Sequence, residues 1–153
     1  MRAVWLKDGT YNSYSELMGL PKEQLSTEYW FPWYNNLSST LLDEQLRFAN
    51  ADSQPTNIYV AIGTQTYGPY LLGPGESLRQ SFAENNGPVR VWSAENRNII
   101  AAMRAVWLVG GKYSSYSELM GLPKEQLSTE YWFPWYNNLS STLLDEQLRF
   151  GVP

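Results

Sequence analysis

The strongest constraint on this chain is that it repeats itself: residues 1–48 recur as residues 103–150, at an offset of 102 with no gap. Forty-four of the 48 positions are identical, and the four that differ set Lys7 against Val109, Asp8 against Gly110, Thr10 against Lys112 and Asn12 against Ser114. Three of these changes fall in the polar run from Asp8 to Ser13 or its counterpart, which reads as a loop whose identity matters little to packing. Residues 49–102 occur once. The chain is therefore a repeated block, a single middle block, and the repeated block again. If one folding unit needs one of each, two copies compete for one middle and one copy is left without its complement. The spare copy is ordered either by its own contacts or by a neighbouring chain, and the neighbour is the expected source.

The apolar content is sufficient for such a unit. Hydrophobic residues make up 43% of the 153 positions and aromatics 15%, enough to bury the core of one ordinary domain or two very small ones. Only 17% are charged and the net charge is -4, so a phosphate backbone or anionic surface meets no basic stripe, and nucleic acid is not an expected partner. The chain has no Cys and no His. Disulfides, thiolate chemistry and the commonest general base and metal ligand are thereby excluded, and neither an enzyme nor a cofactor is expected. Met1–Leu6 runs straight into Lys7 and Asp8, so it lacks the apolar run of a signal peptide. No stretch approaches transmembrane length, membrane insertion is not expected, and any secretion signal is expected outside this chain.

Strand signals dominate the middle block. Residues 57–64 alternate, with Ile58, Val60 and Ile62 on one face. Residues 67–72 follow, interrupted by Gly68-Pro69, which predicts an edge or a bulge. Residues 77–82 and 89–93 are further strands, separated by turns at 73–76 and 85–88. Residues 99–108 form a strand in which Met103, Ala105 and Trp107 are expected to face inward if Arg104 faces water. That strand crosses into the repeat, so residues 1–6 read as the same strand of a preceding copy. Ser13-Tyr14-Ser15-Glu16 and Ser115-Tyr116-Ser117-Glu118 fit a capping box, which predicts a helix of about two turns ended at Gly19-Leu20-Pro21 and at Gly121-Leu122-Pro123. Residues 29–34 read as an aromatic strand that Pro32 keeps at an edge or bulge, with 44–48 as its successor, and both recur at 131–136 and 146–150.

Laid end to end, these elements give an all-β fold: an immunoglobulin-like sandwich of about seven strands over residues 28–108. Residues 1–8 are then the last strand of a preceding repeat and 130–153 the first strands of a following one. Residues 9–27 and 109–129 are expected to be linkers, each with a short helix.

The phrases YWFPWYNN, DEQLRF, GESLRQSF, NNGPVRVWS, IIAAMRAVW and YSELMGLP together resemble tandem repeats of about a hundred residues in large secreted and cell-surface proteins of filamentous bacteria. The resemblance covers nearly the whole chain. It implies β-sandwich arrays and an extracellular or cell-surface location, and it implies no catalytic constellation.

The leading functional expectation is self-assembly, in which the two fragments complete a sandwich between chains and, repeated head to tail, build a filament. On one side the interface is Met1, Ala3, Val4, Trp5 and Leu6. On the other it is Tyr131, Trp132, Phe133, Trp135 and Tyr136, with Leu148 and Phe150. An unfinished sandwich exposes main-chain donors and acceptors along its edge and several large rings besides. The alternative partner is a polysaccharide, stacked on exposed Trp30, Trp33 and Tyr34. Glu28, Asp43, Glu44, Glu130, Asp145 and Glu146 supply the carboxylates for a glycosidase-type pair, but acidic residues near turns are usually solvated surface and no nucleophile motif accompanies them. Asp43-Glu44 lacks the alternating oxygen spacing of a calcium loop, so no metal site is expected. Asn36-Leu37-Ser38 and Asn138-Leu139-Ser140 match the glycosylation triplet, a pattern common by chance. Arg47 and Arg149 sit beside Phe48 and Phe150 and are read as solvated strand residues.

Overall fold

The structure, a computed structural model, describes residues 2–37, 39, 41–139, 141 and 146–153, apart from the side chains of Trp5, Lys7, Tyr11 and Asn12. The fold is all-β, and every strand pairing in it is antiparallel. From the first copy come β1 (Arg2–Lys7), β2 (Thr10–Glu16), β3 (Glu28–Phe31), β4 (Tyr34–Asn35) and β5 (Leu42–Asn50). The middle block gives β6 (Thr56–Ile62), β7 (Gln65–Leu72), β8 (Ser77–Gln80), β9 (Asn85–Asn86) and β10 (Val89–Ser93). Next, β11 (Ile99–Val109) crosses into the second copy, which adds β12 (Lys112–Met120) and β13 (Leu122–Pro123).

Two sheets face each other across one core. The first has the order β13-β3-β10-β6-β7 and the second β12-β11-β5-β8. The period-2 pattern explains the packing: Ile58, Val60 and Ile62 of β6 and Val89 and Val91 of β10 point inward from one sheet, and Leu46, Phe48, Ile99, Ala101 and Met103 meet them from the other. Each large apolar side chain fully withdrawn from water in this layer stabilises by roughly 1.5–3 kcal/mol. β7 lies at the edge of its sheet, and the ladder against β6 shifts register between Ile58 and Val60 beside Gly68-Pro69, as that dipeptide predicts.

Five expectations are corrected. The capping-box residues form strands instead of helices: 13–16 lie in β2 and 115–118 in β12, while the described helical residues at these sites are 3₁₀ turns at Lys22–Gln24 and Lys124–Gln126. Residues 109–129 are therefore more than a linker, because β12 and β13 pair into the two sheets and carry the closed unit on to Pro123, and residues 9–27 hold β2, which pairs with β1 alone. Trp107 is 43% exposed and Val106 is buried: β11 keeps an unbroken register against β5, so Trp107 stays on the face of Ala101 and Met103 but lies past the end of the core, while Val106 is covered on the opposite face. Pro32 splits the aromatic strand in two: β3 joins the five-stranded sheet between β13 and β10, and β4 pairs with β9. With nine strands in the two facing sheets, the architecture is a two-sheet sandwich larger than the seven strands expected.

Candidate assembly interface

The first copy shows what the repeated segment looks like when satisfied. Tyr29, Phe31, Tyr34, Leu46 and Phe48 are each at most 1% exposed. β3 pairs with β10 from Tyr29 opposite Val91 to Phe31 opposite Val89, and β5 pairs with β11 and β8. Short-range hydrogen bonds shape the segment before any of this pairing. The Ser26 amide donates to the Tyr29 hydroxyl (3.2 Å), the Glu28 amide to the Ser26 hydroxyl (3.2 Å), the Tyr34 hydroxyl to the Glu44 carbonyl (2.6 Å) and the Asn35 amide to the Glu44 carboxylate (2.5 Å). Burial pushes the Tyr34 hydroxyl up to about 12 and raises the Glu44 carboxyl above its usual range. Outside this core, the Glu28 carboxylate takes the Trp30 indole N–H (2.7 Å) and the Arg90 guanidinium (2.5 Å).

The second copy keeps the local geometry and lacks the burial. The Ser128 amide donates to the Tyr131 hydroxyl (2.8 Å), the Glu130 amide to the Ser128 hydroxyl (3.2 Å), the Tyr136 hydroxyl to the Glu146 carbonyl (2.9 Å) and the Asn137 amide to the Glu146 carboxylate. Yet Tyr131 is 48% exposed, Phe133 61%, Tyr136 51%, Leu148 50% and Phe150 73%, where their counterparts are closed off. Trp132 and Trp135 are exposed as well. One sequence thus stands in two environments and keeps these four local hydrogen bonds in both. Tyr131, Phe133 and Phe150 lean toward Trp30, Phe31 and Pro88 across an apolar cavity of about 220 Å³, so the exposed segment rests beside β3 without entering a sheet.

At the other end, the β1–β2 hairpin duplicates the tip of β11–β12. Arg2 lies opposite Glu16 as Arg104 lies opposite Glu118, each Nε 2.7 Å from its carboxylate, and each guanidinium sits 5.1 Å from a tyrosine ring, Tyr14 or Tyr116. Asp8 and Gly9 both take positive φ, as do Gly110 and Gly111, so each hairpin closes on two left-handed residues. All four differences between the copies surround these turns. Whereas β11 lies between β12 and β5, β1 pairs with β2 alone, and Val4 is 41% exposed where its counterpart Val106 is 3%. The Glu118 amide donates to the Ser15 hydroxyl (3.0 Å), which holds the hairpin beside β12.

Of the expected interface residues, Val4, Leu6, Tyr131, Trp132, Phe133, Trp135, Tyr136, Leu148 and Phe150 are all exposed and Ala3 is half-buried. Met1 and the Trp5 side chain lie outside the described residues, as do Asp145, Ser38 and Ser140 of the carboxylate and glycosylation motifs. The fragments at the two ends do not amount to a full sandwich. Together they hold counterparts of β3, β4, β5, β12, β13 and the end of β11, while β6, β7, β8 and β10 come from a middle block present once. Tyr34 is buried and unable to stack on a sugar. Trp33 donates to the Asn85 side chain (3.0 Å). Trp30 lies on the outer face, where Arg90 reaches over both Trp30 (5.8 Å) and Trp92 (4.5 Å) and Trp92 stacks on Tyr59 at 5.5 Å. This platform escaped the sequence reading, although Tyr59, Arg90 and Trp92 alternate with the inward residues of β6 and β10. Among the described residues no group of three or more His, Cys, Asp or Glu gathers to hold a metal, and no helix is long and apolar enough to cross a membrane.

No protein-family model and no curated protein matches the chain. Among solved structures, it is similar in fold to one titled "Crystal Structure of Thermotoga maritima 1070", with 13% identity and a TM-score of 0.51 over 65% of this chain and 96% of the other. Sixty-five per cent of 153 residues is about 99, close to the 102-residue offset of the repeat.

Proposed function

We propose that the chain is a structural, self-assembling repeat module. Copies join head to tail by pairing the β1–β2 hairpin of one molecule with residues 130–150 of the next. One observation carries the reading: the same five side chains are at most 1% exposed in the first copy and 48–73% exposed in the second. The register follows from pairings already made. Ala105 opposite Glu44 puts Ala3 opposite Glu146, Arg104 opposite Gln45 puts Arg2 opposite Gln147, and Leu122 opposite Trp30 puts Leu20 opposite Trp132. Because the middle block is absent from this joint, it is a half-sandwich. Burying what remains exposed on the five side chains stabilises it by at most roughly 4–8 kcal/mol, since the middle block that covers their counterparts is missing, against about 4–15 kcal/mol for association. The joint is weak and concentration-dependent on this arithmetic, and it suits an array. An extracellular or cell-surface array accords with the resemblance to the tandem repeats. Light scattering across a concentration series tests the reading. Mass rises with concentration for the whole chain and stays monomeric when residues 1–16 are removed; a whole chain monomeric at millimolar concentration refutes it.

The outer-face platform favours a second reading, a polysaccharide-binding module in which sugar rings stack on Trp30 and Trp92 beside Arg90. Retention on insoluble polysaccharide that is lost in Trp92→Ala supports it, and retention unchanged by that substitution refutes it.

A further inference from the structure

We infer that the place in the sandwich filled by residues 28–48 is also a binding site for residues 130–150 of the same chain, so that the unit closes in two circularly permuted frames. The two segments are identical over 28–48 and 130–150, because all four differences lie at the hairpin tips. Everything that receives the segment is present in either frame. Tyr29 meets Val91, Phe48 meets Leu78, Leu46 meets Met103 and Trp30 meets Leu122, and these four partners belong to the middle block or to residues 99–123.

The connection is feasible. In the second frame the register of Pro123 opposite Tyr29 becomes Pro123 opposite Tyr131, which leaves residues 124–130 as the loop of an antiparallel pair, of ordinary length for a compact domain. The incoming segment already stands at the entrance, with Tyr131, Phe133 and Phe150 across a small apolar cavity from Trp30 and Phe31. The middle block keeps its own anchor. The Asn50 side chain donates to the Gln54 carbonyl (2.8 Å) and the Leu72 carbonyl (3.1 Å) and accepts from the Asp52 amide (2.9 Å), all inside that block, so the segment can change at position 49, where Gly151 replaces Ala49.

The exchange buries the same side chains that it releases, and for that reason both frames are populated. It also bears on assembly without depending on it. In the second frame the whole first copy is released with the β1–β2 hairpin and the 28–48 segment on one stretch of chain. The two pair with each other, and both surfaces of the joint are withdrawn.

The chain contains no cysteine, so paired cysteines report the frame in the full-length protein. Arg47 lies opposite Arg79 and Ala49 opposite Ser77, on the outer side of β5 and β8. Arg47→Cys with Arg79→Cys closes a disulfide in the observed frame. Arg149→Cys with Arg79→Cys, and independently Gly151→Cys with Ser77→Cys, close only when the second segment occupies the site. Under mild oxidation at high dilution, a disulfide within single chains for either of these two pairs is the expected result. The inference is overturned if both stay reduced, or if they close only between chains, which would mean that a neighbour's segment fills the site. Because dilution removes any assembled joint, neither outcome depends on whether the chain self-associates.

Discussion

Replacing Phe133 and Phe150 together by serine separates the roles of the two copies. In the observed fold these rings are 61% and 73% exposed, whereas Phe31 and Phe48, their counterparts, are 1% exposed. Complete burial of such a ring stabilises by about 1.5–3 kcal/mol, so with roughly two thirds still to gain, each contributes about 1–2 kcal/mol to a joint between molecules and the pair about 2–4 kcal/mol. At about 1.4 kcal/mol per tenfold, the double substitution weakens self-association by roughly 30- to 1000-fold. Adding the same change at Phe31 and Phe48 leaves neither segment able to fill the core, at about 3–5 kcal/mol per ring lost, and unfolds a domain of ordinary stability. Sedimentation velocity over a concentration series measures the first effect, and thermal unfolding at low concentration the second. The expected result is a Phe133→Ser, Phe150→Ser protein with nearly unchanged unfolding and lost association. Association that survives the double substitution would refute the reasoning, as would unfolding that falls as far as it does when all four rings are replaced.

Two further outcomes follow from paired or charged groups. In a Phe133→Ser, Phe150→Ser background, where the second segment cannot fill the core, Tyr34→Phe loses the bonds to the Glu44 carbonyl and from the Phe82 amide and should lower stability to urea by about 1–3 kcal/mol, while Tyr136→Phe should change it by less than about 0.5 kcal/mol; equal effects would contradict the difference in burial. Hydrogen bonds from the Thr56 hydroxyl and from the Asn57 side chain and amide hold the Glu95 carboxyl near a pKa of about 2, below its ordinary 4.5. Its contribution is therefore complete above about pH 4.5 and lost as the pH falls toward 2, so Glu95→Gln should flatten the decline of melting temperature between pH 5 and 2, and an unchanged slope would contradict this.

What the sequence revealed depended on how strongly each element was determined locally. β6 and β10 were legible because a half-buried antiparallel strand must alternate, and Ile58, Val60, Ile62, Val89 and Val91 do so without interruption. The hairpins were misread, since Ser-Tyr-Ser-Glu has the spacing of a capping box and nothing in a short polar run separates that from a strand. The better signal was Asp8-Gly9, a two-residue turn in which both positions need positive φ, flanked by residues able to pair across it. Trp107 was misplaced because alternation gives the face of a strand and not where the core ends: β11 holds its register against β5 through Trp107, but full burial on that face stops at Met103. The unsatisfied second copy was legible as stoichiometry alone: counting blocks predicted a surplus, but which copy would hold the middle block depends on three-dimensional closure. Tyr34 shows the same limit, since the spacing that makes an aromatic stripe does not say which rings face the core.

The tips of the two hairpins have a practical consequence. Every difference between the copies clusters around Asp8-Gly9 and Gly110-Gly111, while the remaining 44 positions are unchanged. A cysteine, a dye or a short epitope grafted at the Asp8-Gly9 tip would ride on the outside of the molecule and leave the facing sheets untouched, so a carrier built from this fold already has its display position marked.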